Sequence, residues 1–219
     1  PHMTVRDNMA FSLLLAKKDK AFIDERVGKA AEILGLAPLL ERFPRQLSGG
    51  QRQRVAIAGA LALEPDIIVA DEPVSSLDAS VRGEILALLL RLREELGLSL
   101  LVVTHDLGLA WNIADRVAVM YLGRIVEQGP TEALLSDPKH PYTKALLSVV
   151  PEMERLEQVV LTGEPPDPTK VPAGCRFHPR CPVVASGEAA RLGIEDKCRG
   201  EALPVLPVSA DHTSACWAV

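Results

Sequence analysis

The sequence predicts an α/β fold: a helical segment, then a parallel sheet with an antiparallel edge, then a loop-rich C-terminal region. Two short apolar runs, 66–70 and 98–103, flank a long amphipathic segment over 81–96, which is the pattern of a parallel β-α-β unit. Proline becomes dense after residue 138, and all four cysteines follow it. These observations predict a core of ordinary domain size with a separate cysteine module.

The predicted elements follow from periodicity and from start and stop signals. Thr4 and Asp24 are the predicted N-caps of the first two helices, and Glu64-Pro65 ends the third. Leu122-Gly123 predicts a hairpin turn, and both apolar runs are predicted to be buried strands. In order, the elements are helices over 5–15 and 25–36, a turn over 47–51, a helix over 52–63, a strand over 66–70, a helix over 81–96, a strand over 98–103, and hairpin strands over 116–121 and 124–128.

Composition narrows the class of function. The chain of 219 residues is 47% hydrophobic and 24% charged, the profile of a globular protein. Its net charge of −5 argues against a broad surface for nucleic acid or anionic membranes. No apolar run reaches the roughly 18 residues of a spanning helix. Any membrane role is therefore expected to act through partner subunits.

The motif Ser48-Gly49-Gly50-Gln51 opens a predicted helix. Glycines at a helix start let an anion approach the backbone closely, and the free N–H groups with the helix dipole favour phosphate. Taken alone, however, such a motif is more typical of a capped turn. The motif therefore predicts a phosphate contact only if other nucleotide-binding motifs accompany it in the sequence.

Two carboxylates, Asp71 and Glu72, follow the first apolar run. Ligands of open α/β sheets collect at the carboxyl ends of strands. The expected roles are Mg²⁺ binding by Asp71 and polarisation of an attacking water by Glu72 as general base. The alternative is that the acidic pair only caps the following turn.

His105 follows the second apolar run, and Ser75-Ser76-Leu77-Asp78 forms a turn between the two runs. A histidine at a strand end can reach a γ-phosphate and orient water, although a structural role is more common. Asp78 alone favours a helix cap.

Together these four elements resemble an ABC-type nucleotide-binding domain over about residues 1–130. Residues 47–51 resemble its signature, 67–72 its Walker B segment, 75–78 its D-loop, and His105 its switch histidine. The resemblance implies a partial P-loop NTPase-like domain, with a helical subdomain and half of the parallel sheet. It also implies ATP and Mg²⁺ between two such domains arranged head to tail. In that arrangement Ser48, Gly49, Gly50 and Gln51 serve the nucleotide held by the partner, whereas Asp71, Glu72 and His105 serve this subunit's own site. Asp78 of the D-loop is a further expected cofactor-binding residue.

The family's phosphate-binding loop, Gly-x-x-x-x-Gly-Lys-Ser/Thr, does not occur in the sequence. The resemblance places the start of the chain just past the glutamine loop, so we expect this chain alone neither to bind ATP tightly nor to hydrolyse it. Half of the sheet is then expected to be missing, with apolar surface exposed and poor solubility.

Different parts of the chain resemble two different branches of the family. Residues 1–47, notably 1–8, look like sugar-importer ATPases. From Ile57 onward the chain resembles dipeptide/oligopeptide-importer ATPases, notably at 58–61, 71–78 and 140–143. The chain is therefore interpreted as a truncated or chimeric form.

Cys175, Cys181, Cys198 and Cys216 are separated by five, sixteen and seventeen residues. Four thiolates can hold a 4Fe–4S cluster or a zinc ion, and the gap of five counts against zinc. Disulfides are disfavoured in a reducing cytosol. The segment 177–182 resembles the C-terminal extension of peptide-importer ATPases, some of which carry such a cluster. Reduced buried thiols are the alternative, and His178 and His212 are possible substitute ligands.

The sequence thus predicts the ATP-hydrolysing subunit of an ABC importer for di- or oligopeptides at the cytoplasmic face of the plasma membrane. The predicted segments are 1–48 (helical), 49–135 (ATPase core half) and 136–219 (cysteine extension). Expected partners are a second ABC ATPase subunit in a homo- or heterodimer, transmembrane permease subunits and, indirectly, a solute-binding protein, but no nucleic acid. A silent fragment that completes a partner's site is the alternative. Acidic charge and the lack of heptads disfavour a DNA-maintenance ATPase.

Overall fold

The computed structural model describes residues 2–150, 158–164, 166–203, 206–207 and 211–219, with the backbone alone at 206–207. The chain divides into two compact units, residues 1–105 and 106–219. Both predicted segment boundaries, 48/49 and 135/136, lie inside a unit. Pro1 and Pro165, which the predictions include in a helical and a proline-rich segment, are outside the described residues.

Unit 1 is a helical layer followed by a β-α-β segment. Thr4 caps the first helix as predicted: its hydroxyl accepts from the Asp7 N–H while the Asp7 side chain bonds the Thr4 N–H, a reciprocal capping box. Val5 and Met9 on this helix are fully buried. The elements are α1 Val5–Leu15, α2 Lys20–Ile33, short 3₁₀ turns Ala37–Leu39 and Pro44–Gln46, α3 Gly49–Leu61, β1 Ile67–Asp71, α4 Ala79–Leu96 and β2 Ser99–Val103.

Two predicted helix starts are wrong. Helix α2 begins at Lys20 because the Asp19 carboxylate accepts from the Phe22 N–H at 2.9 Å. Asp24, the predicted cap, lies inside the helix and pairs with Arg6 at 2.7 Å. Helix α3 begins at Gly49 rather than at residue 52, since Ser48 caps it and draws both glycines into the first turn.

Strands β1 and β2 pair in parallel, as predicted, with Val69 opposite Leu101 and Asp71 opposite Val103. The prediction that both strands are buried is wrong for one face. Ile67, Val69, Leu101 and Val103 are 60%, 64%, 57% and 49% exposed, whereas Ile68 on the opposite face is buried. These exposed fractions confirm the expectation of apolar surface on one face of this sheet.

Unit 2 contains a second sheet. The predicted hairpin is present, but it is not an edge of the parallel sheet: its strands belong to a separate antiparallel sheet, in which the order of the strands is 116–121, 124–130, 213–214 and 206–207. In that sheet the C-terminal strand extends the hairpin, with Ser214 opposite Glu127. The elements are α5 Leu107–Ile113, β3 Arg116–Tyr121, β4 Arg124–Pro130, α6 Thr131–Ser136, α7 Pro141–Leu147, a 3₁₀ turn His178–Arg180, α8 Pro182–Ala185, α9 Glu188–Arg191, α10 Glu195–Gly200, β5 Leu206–Pro207 and β6 Thr213–Ser214.

An aromatic cluster forms the centre of unit 2. The rings of Tyr121 and Phe177 meet at 5.2 Å, and Tyr142 contacts both, at 4.7 and 5.2 Å. Phe177 is fully buried. The cluster packs strand β3 and helix α7 against the cysteine-bearing segment. The described residues of 158–176 form loops as predicted, whereas short helices occupy much of 178–200.

Candidate functional site

Asp71 is the last residue of strand β1 and is exposed. Side chains alternate along a strand, so its carboxylate lies on the same face as Ile67 and Val69. The exposed apolar face of the sheet therefore ends in a carboxylate. This places one hard oxygen ligand, of the type that Mg²⁺ prefers, at the carboxyl end of the strand.

Glu72 leaves the strand with φ +48°, a left-handed conformation that is strained for any residue other than glycine. Its N–H donates to the Val103 carbonyl oxygen at 2.9 Å, which keeps the residue attached to β2. Strained backbone of this kind concentrates at functional sites. The turn aims the Glu72 side chain at His105.

His105 and Glu72 form a pair. Glu72 Oε1 accepts from the His105 N–H at 3.1 Å and lies 2.7 Å from His105 Nδ1. An ionised carboxylate only accepts, so Nδ1 donates and the ring presents Nε2 outward. The His105 side chain is 82% exposed and that of Glu72 35%. A ligand can therefore reach both groups from solvent.

The start of helix α3 packs on the turn that precedes α4. A Cβ at Gly49 would lie 3.2 Å from Leu77 Cδ2, and a Cβ at Gly50 only 2.8 Å from Val81 Cγ1. Both glycines are needed for this close approach, so the motif serves packing as well as any anion contact. Sequence reasoning did not identify Val81, because its contact is between two elements.

Ser48 and Gln51 bond each other. The Gln51 N–H donates to Ser48 Oγ at 3.3 Å, and the Ser48 N–H donates to Gln51 Oε1 at 3.0 Å. Asp78 occupies the N-cap position of α4, but its side chain makes no capping hydrogen bond, which corrects the predicted cap. The exposed Asp78 carboxylate is thus not used in stabilising this helix. The structure brings the predicted site residues together in two groups: residues 48–51 beside 75–78, and Glu72 with His105.

In unit 2 the four cysteines line one cavity. Its other walls include His140, Phe177, His178 and Trp217. The space between them is about 20 Å³, room for about one water molecule. The four cysteines, far apart in the sequence, thus lie along the walls of one cavity, and their use as metal ligands stays a prediction.

Burial raises the pKa of all four thiols, and that of Cys216 to about 11. Backbone N–H groups oppose this shift: Phe177 and His178 donate to Cys175, Val184 and Val183 to Cys181, and Ala218 to Cys216. Such bonds favour the thiolate. Among the described residues, no three His, Cys, Asp or Glu side chains converge closely enough to hold a single metal ion.

A buried carboxylate that sequence reasoning missed supports this cavity. Glu127, 1% exposed, accepts from the backbone N–H groups of Lys139 and His140 at 2.7 and 2.8 Å. His212 Nε2 lies 2.7 Å from the same carboxylate. His212 therefore bonds Glu127 and is not a wall of the cysteine cavity, contrary to its predicted role as a substitute ligand. No local signal marks Glu127, because its partners are distant in the sequence.

His140 is 1% exposed. Its Nδ1 accepts from the Tyr142 N–H at 3.1 Å, whereas its Nε2 has no hydrogen-bond partner in the part of the chain that the structure describes. An unpartnered buried polar atom of this kind costs about 1–3 kcal/mol. Burial lowers the pKa of His140 to about 4, so the ring is neutral at ordinary pH.

Comparison with known families identifies two regions. Residues 1–75 match the ABC transporter family, and residues 126–187 match the family described as the oligopeptide/dipeptide transporter C-terminal region. No helix in the described part of the chain is long and apolar enough to cross a membrane.

Individual proteins show the same similarities. The chain is 53% identical over 161 residues to the dipeptide transport ATP-binding protein DppF of Haemophilus influenzae, covering 72% of this chain and 49% of that protein. Identity to DppF of Escherichia coli is 51% over 144 residues, covering 64% and 43%. The chain spans about half the length of the curated relatives it matches. Among solved structures it is similar to cbiO1 from Clostridium perfringens, part of the ABC transporter complex cbiONQ, with a TM-score of 0.55, 33% identity and coverage of 62% and 54%.

Proposed function

We propose that this chain, which belongs with the ATP-binding domains of ABC transporters of the dipeptide/oligopeptide importer type, is the ATP-hydrolysing subunit of a peptide importer. The reaction is ATP + water → ADP + phosphate. The observation that carries the proposal is the exposed Glu72–His105 pair on a strained turn at the end of β1. This arrangement suits a carboxylate that accepts a proton from water.

In this proposal the Glu72 carboxylate orients the attacking water and takes its proton. His105 Nδ1 holds the carboxylate in place, and Nε2 is directed to the γ-phosphate. Asp71 would hold Mg²⁺, which supplies positive charge against the phosphate oxygens. Its exposed carboxylate beside Glu72 fits that role.

A second ABC ATPase domain completes the site. Residues 48–51 and Asp78 contact the nucleotide held by that partner, as the glycine-opened start of α3 beside the 75–78 turn permits. Permease subunits in the membrane use the free energy of hydrolysis for transport. They receive the solute from a solute-binding protein. The chain lies at the cytoplasmic face of the plasma membrane and binds no nucleic acid.

The 219 residues contain no Gly-x-x-x-x-Gly-Lys-Ser/Thr sequence. We therefore expect them alone to give no hydrolysis above background. A second candidate function is that of a silent subunit whose residues 48–51, at the glycine-opened start of α3 beside the 75–78 turn, complete a partner's site. The two candidates differ in whether hydrolysis requires Glu72.

The test measures phosphate release by the 219-residue chain alone, mixed with a whole domain of the same family, and mixed with only the phosphate-loop segment of that domain, which would supply the loop that the Glu72 site needs. Ser48→Arg blocks the contact to the partner's nucleotide, and Glu72→Gln removes the base. Ser12→Arg, at an exposed position of α1, is the control for added charge.

Stimulation that both Ser48→Arg and Glu72→Gln abolish supports the hydrolysing subunit. Stimulation that only Ser48→Arg abolishes supports the silent subunit. Hydrolysis by the chain alone that depends on Glu72 supports the enzyme and overturns the expected inactivity. A mixture no more active than its parts refutes both candidates.

The four cysteines are proposed to hold a 4Fe–4S cluster. The support for this proposal is that all four cysteines, far apart in the sequence, line one cavity of unit 2. The cavity of about 20 Å³ is smaller than a cluster, so cluster binding would require an arrangement of the four cysteines other than the one described. The cluster would tie the C-terminal strand region to the segments that carry the other three cysteines.

Iron and zinc content of protein prepared without oxygen tests the cluster. A brown protein with about four irons per chain supports it. A colourless protein with one zinc supports the zinc alternative. A protein that contains neither iron nor zinc supports reduced thiols.

A further inference from the structure

A further cavity lies in unit 1, and its walls do not include the residues of the proposed ATP site. Its volume is about 290 Å³, just below the roughly 300–1,000 Å³ of most small-molecule sites. Helix α2 forms one wall with Arg26, Lys29, Ala30 and Ile33, whose spacing of three and four residues places them on one face of the helix. The ends of α3 and α4 and the residues just before β1 and β2 form the other walls. The cavity therefore has room for a small ligand.

An apolar floor lies in this cavity, formed by Ala30, Leu61 and Leu98. These three side chains are 3%, 7% and 6% exposed. Ile33, which is half-buried, adds to the apolar lining. An aliphatic group that covers this lining leaves water, and that transfer favours binding. The floor thus favours a ligand with an aliphatic body.

Two cations of the cavity share one carboxylate. Arg26 Nη1 and Lys29 Nζ both pair with Glu64 Oε1, Lys29 at 3.1 Å. The chain leaves α3 through Glu64 at φ +47°, a left-handed conformation that is strained for any residue other than glycine. This turn brings the Glu64 carboxylate to α2. Because two positive charges meet one negative charge here, the group attracts a further anion.

Arg26 has a hydrogen-bond donor to spare. Its guanidinium is held by Glu64 on one side and lies 4.8 Å from the centre of the Phe22 ring. Its Nε is buried and has no hydrogen-bond partner in the part of the chain that the structure describes. A buried donor without an acceptor is unfavourable, so an acceptor that reaches it is bound favourably. A carboxylate is the acceptor that best matches a guanidinium.

Asp66 supplies the opposite charge. It is exposed and lines the same cavity, so it attracts a cationic group of a ligand. We propose that this cavity binds a free aliphatic α-amino acid, with its carboxylate at Arg26, its ammonium at Asp66 and its side chain on the apolar floor. The proposal is independent of the proposed ATP hydrolysis, because the two sites share no residue.

The test titrates the ¹⁵N-labelled, full 219-residue chain with L-leucine and follows the amide ¹H–¹⁵N shifts. Three analogues each lack one group: leucinamide lacks the carboxylate, N-acetyl-L-leucine lacks the ammonium, and glycine lacks the aliphatic side chain. We expect saturable shifts with L-leucine at the residues around the cavity. Each analogue should bind about tenfold more weakly or worse, as the loss of a charged hydrogen bond or of an apolar contact predicts.

Two variants probe the cavity itself. Arg26→Gln should weaken L-leucine binding about tenfold, because it removes the cationic partner of the carboxylate. Arg6→Gln is its matched control, since Arg6 also pairs with a carboxylate of α2, that of Asp24 at 2.7 Å, but is not a wall of the cavity. Ala30→Leu fills the floor without a change of charge and should abolish binding. Ala21→Leu, at an exposed position of the same helix, is the control for added volume.

Saturable L-leucine binding that Arg26→Gln and Ala30→Leu weaken, and that both controls leave unchanged, supports the proposal. The absence of saturable shifts at millimolar L-leucine overturns it. An analogue that binds as tightly as L-leucine also overturns it, because the group that the analogue lacks is then not recognised. Binding that Arg26→Gln leaves unchanged overturns it too, and this comparison is sufficient if Ala30→Leu does not fold.

Discussion

Acid should destabilise unit 2 through one histidine. Burial lowers the pKa of His140 from 6.5 to about 4. The His140 ring of the unfolded chain therefore binds a proton below about pH 6.5, whereas in the folded chain it stays neutral down to about pH 4. Because the folded pKa is the lower one, the stability present above pH 6.5 is lost as the pH falls toward 4. Each pKa unit corresponds to about 1.36 kcal/mol, so the full loss from this group is about 3 kcal/mol.

The comparison that isolates this effect is wild type against His140→Asn. The variant cannot titrate at this position, so the gap in unfolding free energy between the two should shrink by about 3 kcal/mol from neutral pH to about pH 4. Urea denaturation of the metal-free full chain, followed by tryptophan fluorescence, measures it. Trp111 and Trp217, the two tryptophans of the sequence, both lie in unit 2, so the signal reports that unit.

His2→Asn is the matched control, since His2 is an exposed histidine of unit 1. It should leave the unit 2 transition unchanged at every pH. Parallel stability curves for wild type and His140→Asn across this range would refute the reasoning. That result would mean that His140 is solvated or bonded to an acid-stabilising group in the folded state.

Two further predictions concern glycines. Gly50→Ala should destabilise unit 1 by about 1–3 kcal/mol, because the new Cβ would lie 2.8 Å from a stiff valine side chain on α4. Gly83→Ala, in a helix with open space around it, should stabilise by about 0.5–1 kcal/mol, and equal hydrogen-exchange protection in the two variants would contradict the packing argument. Gly174→Ala should lose bound metal, because its Cβ would lie 2.6 Å from the Cys198 carbonyl oxygen at φ +66°. Gly193→Ala has the same φ with no neighbour within 4 Å, so metal content that falls equally in both would show that backbone strain, not the clash, is responsible.

Sequence reasoning worked best where one segment contains both partners of an interaction. The Thr4 cap needs only Asp7, and the β1-α4-β2 order follows from apolar runs and the helix between them. The start of α2 was predicted wrongly because Asp19 and Asp24 are both acceptable cap residues, and the structure uses Asp19, whose carboxylate accepts from the Phe22 N–H. For the site, the residue types at 71, 72 and 105 were predicted with their roles, which remain proposals.

The sequence by itself determined the chemical groups and their order: a glycine-opened helix, a strand ending in two carboxylates, a histidine after the next strand, and four cysteines. Only the tertiary structure decided how those groups meet. The Glu72–His105 pair needs parallel pairing of β1 with β2, and the left-handed turn at Glu72 depends on the Val103 carbonyl. In unit 2, Glu127 and His140 acquire their roles from partners on distant segments, which no local pattern encodes. The physical reason is that burial and hydrogen-bond polarity depend on neighbours, whereas periodicity and capping depend on the chain itself.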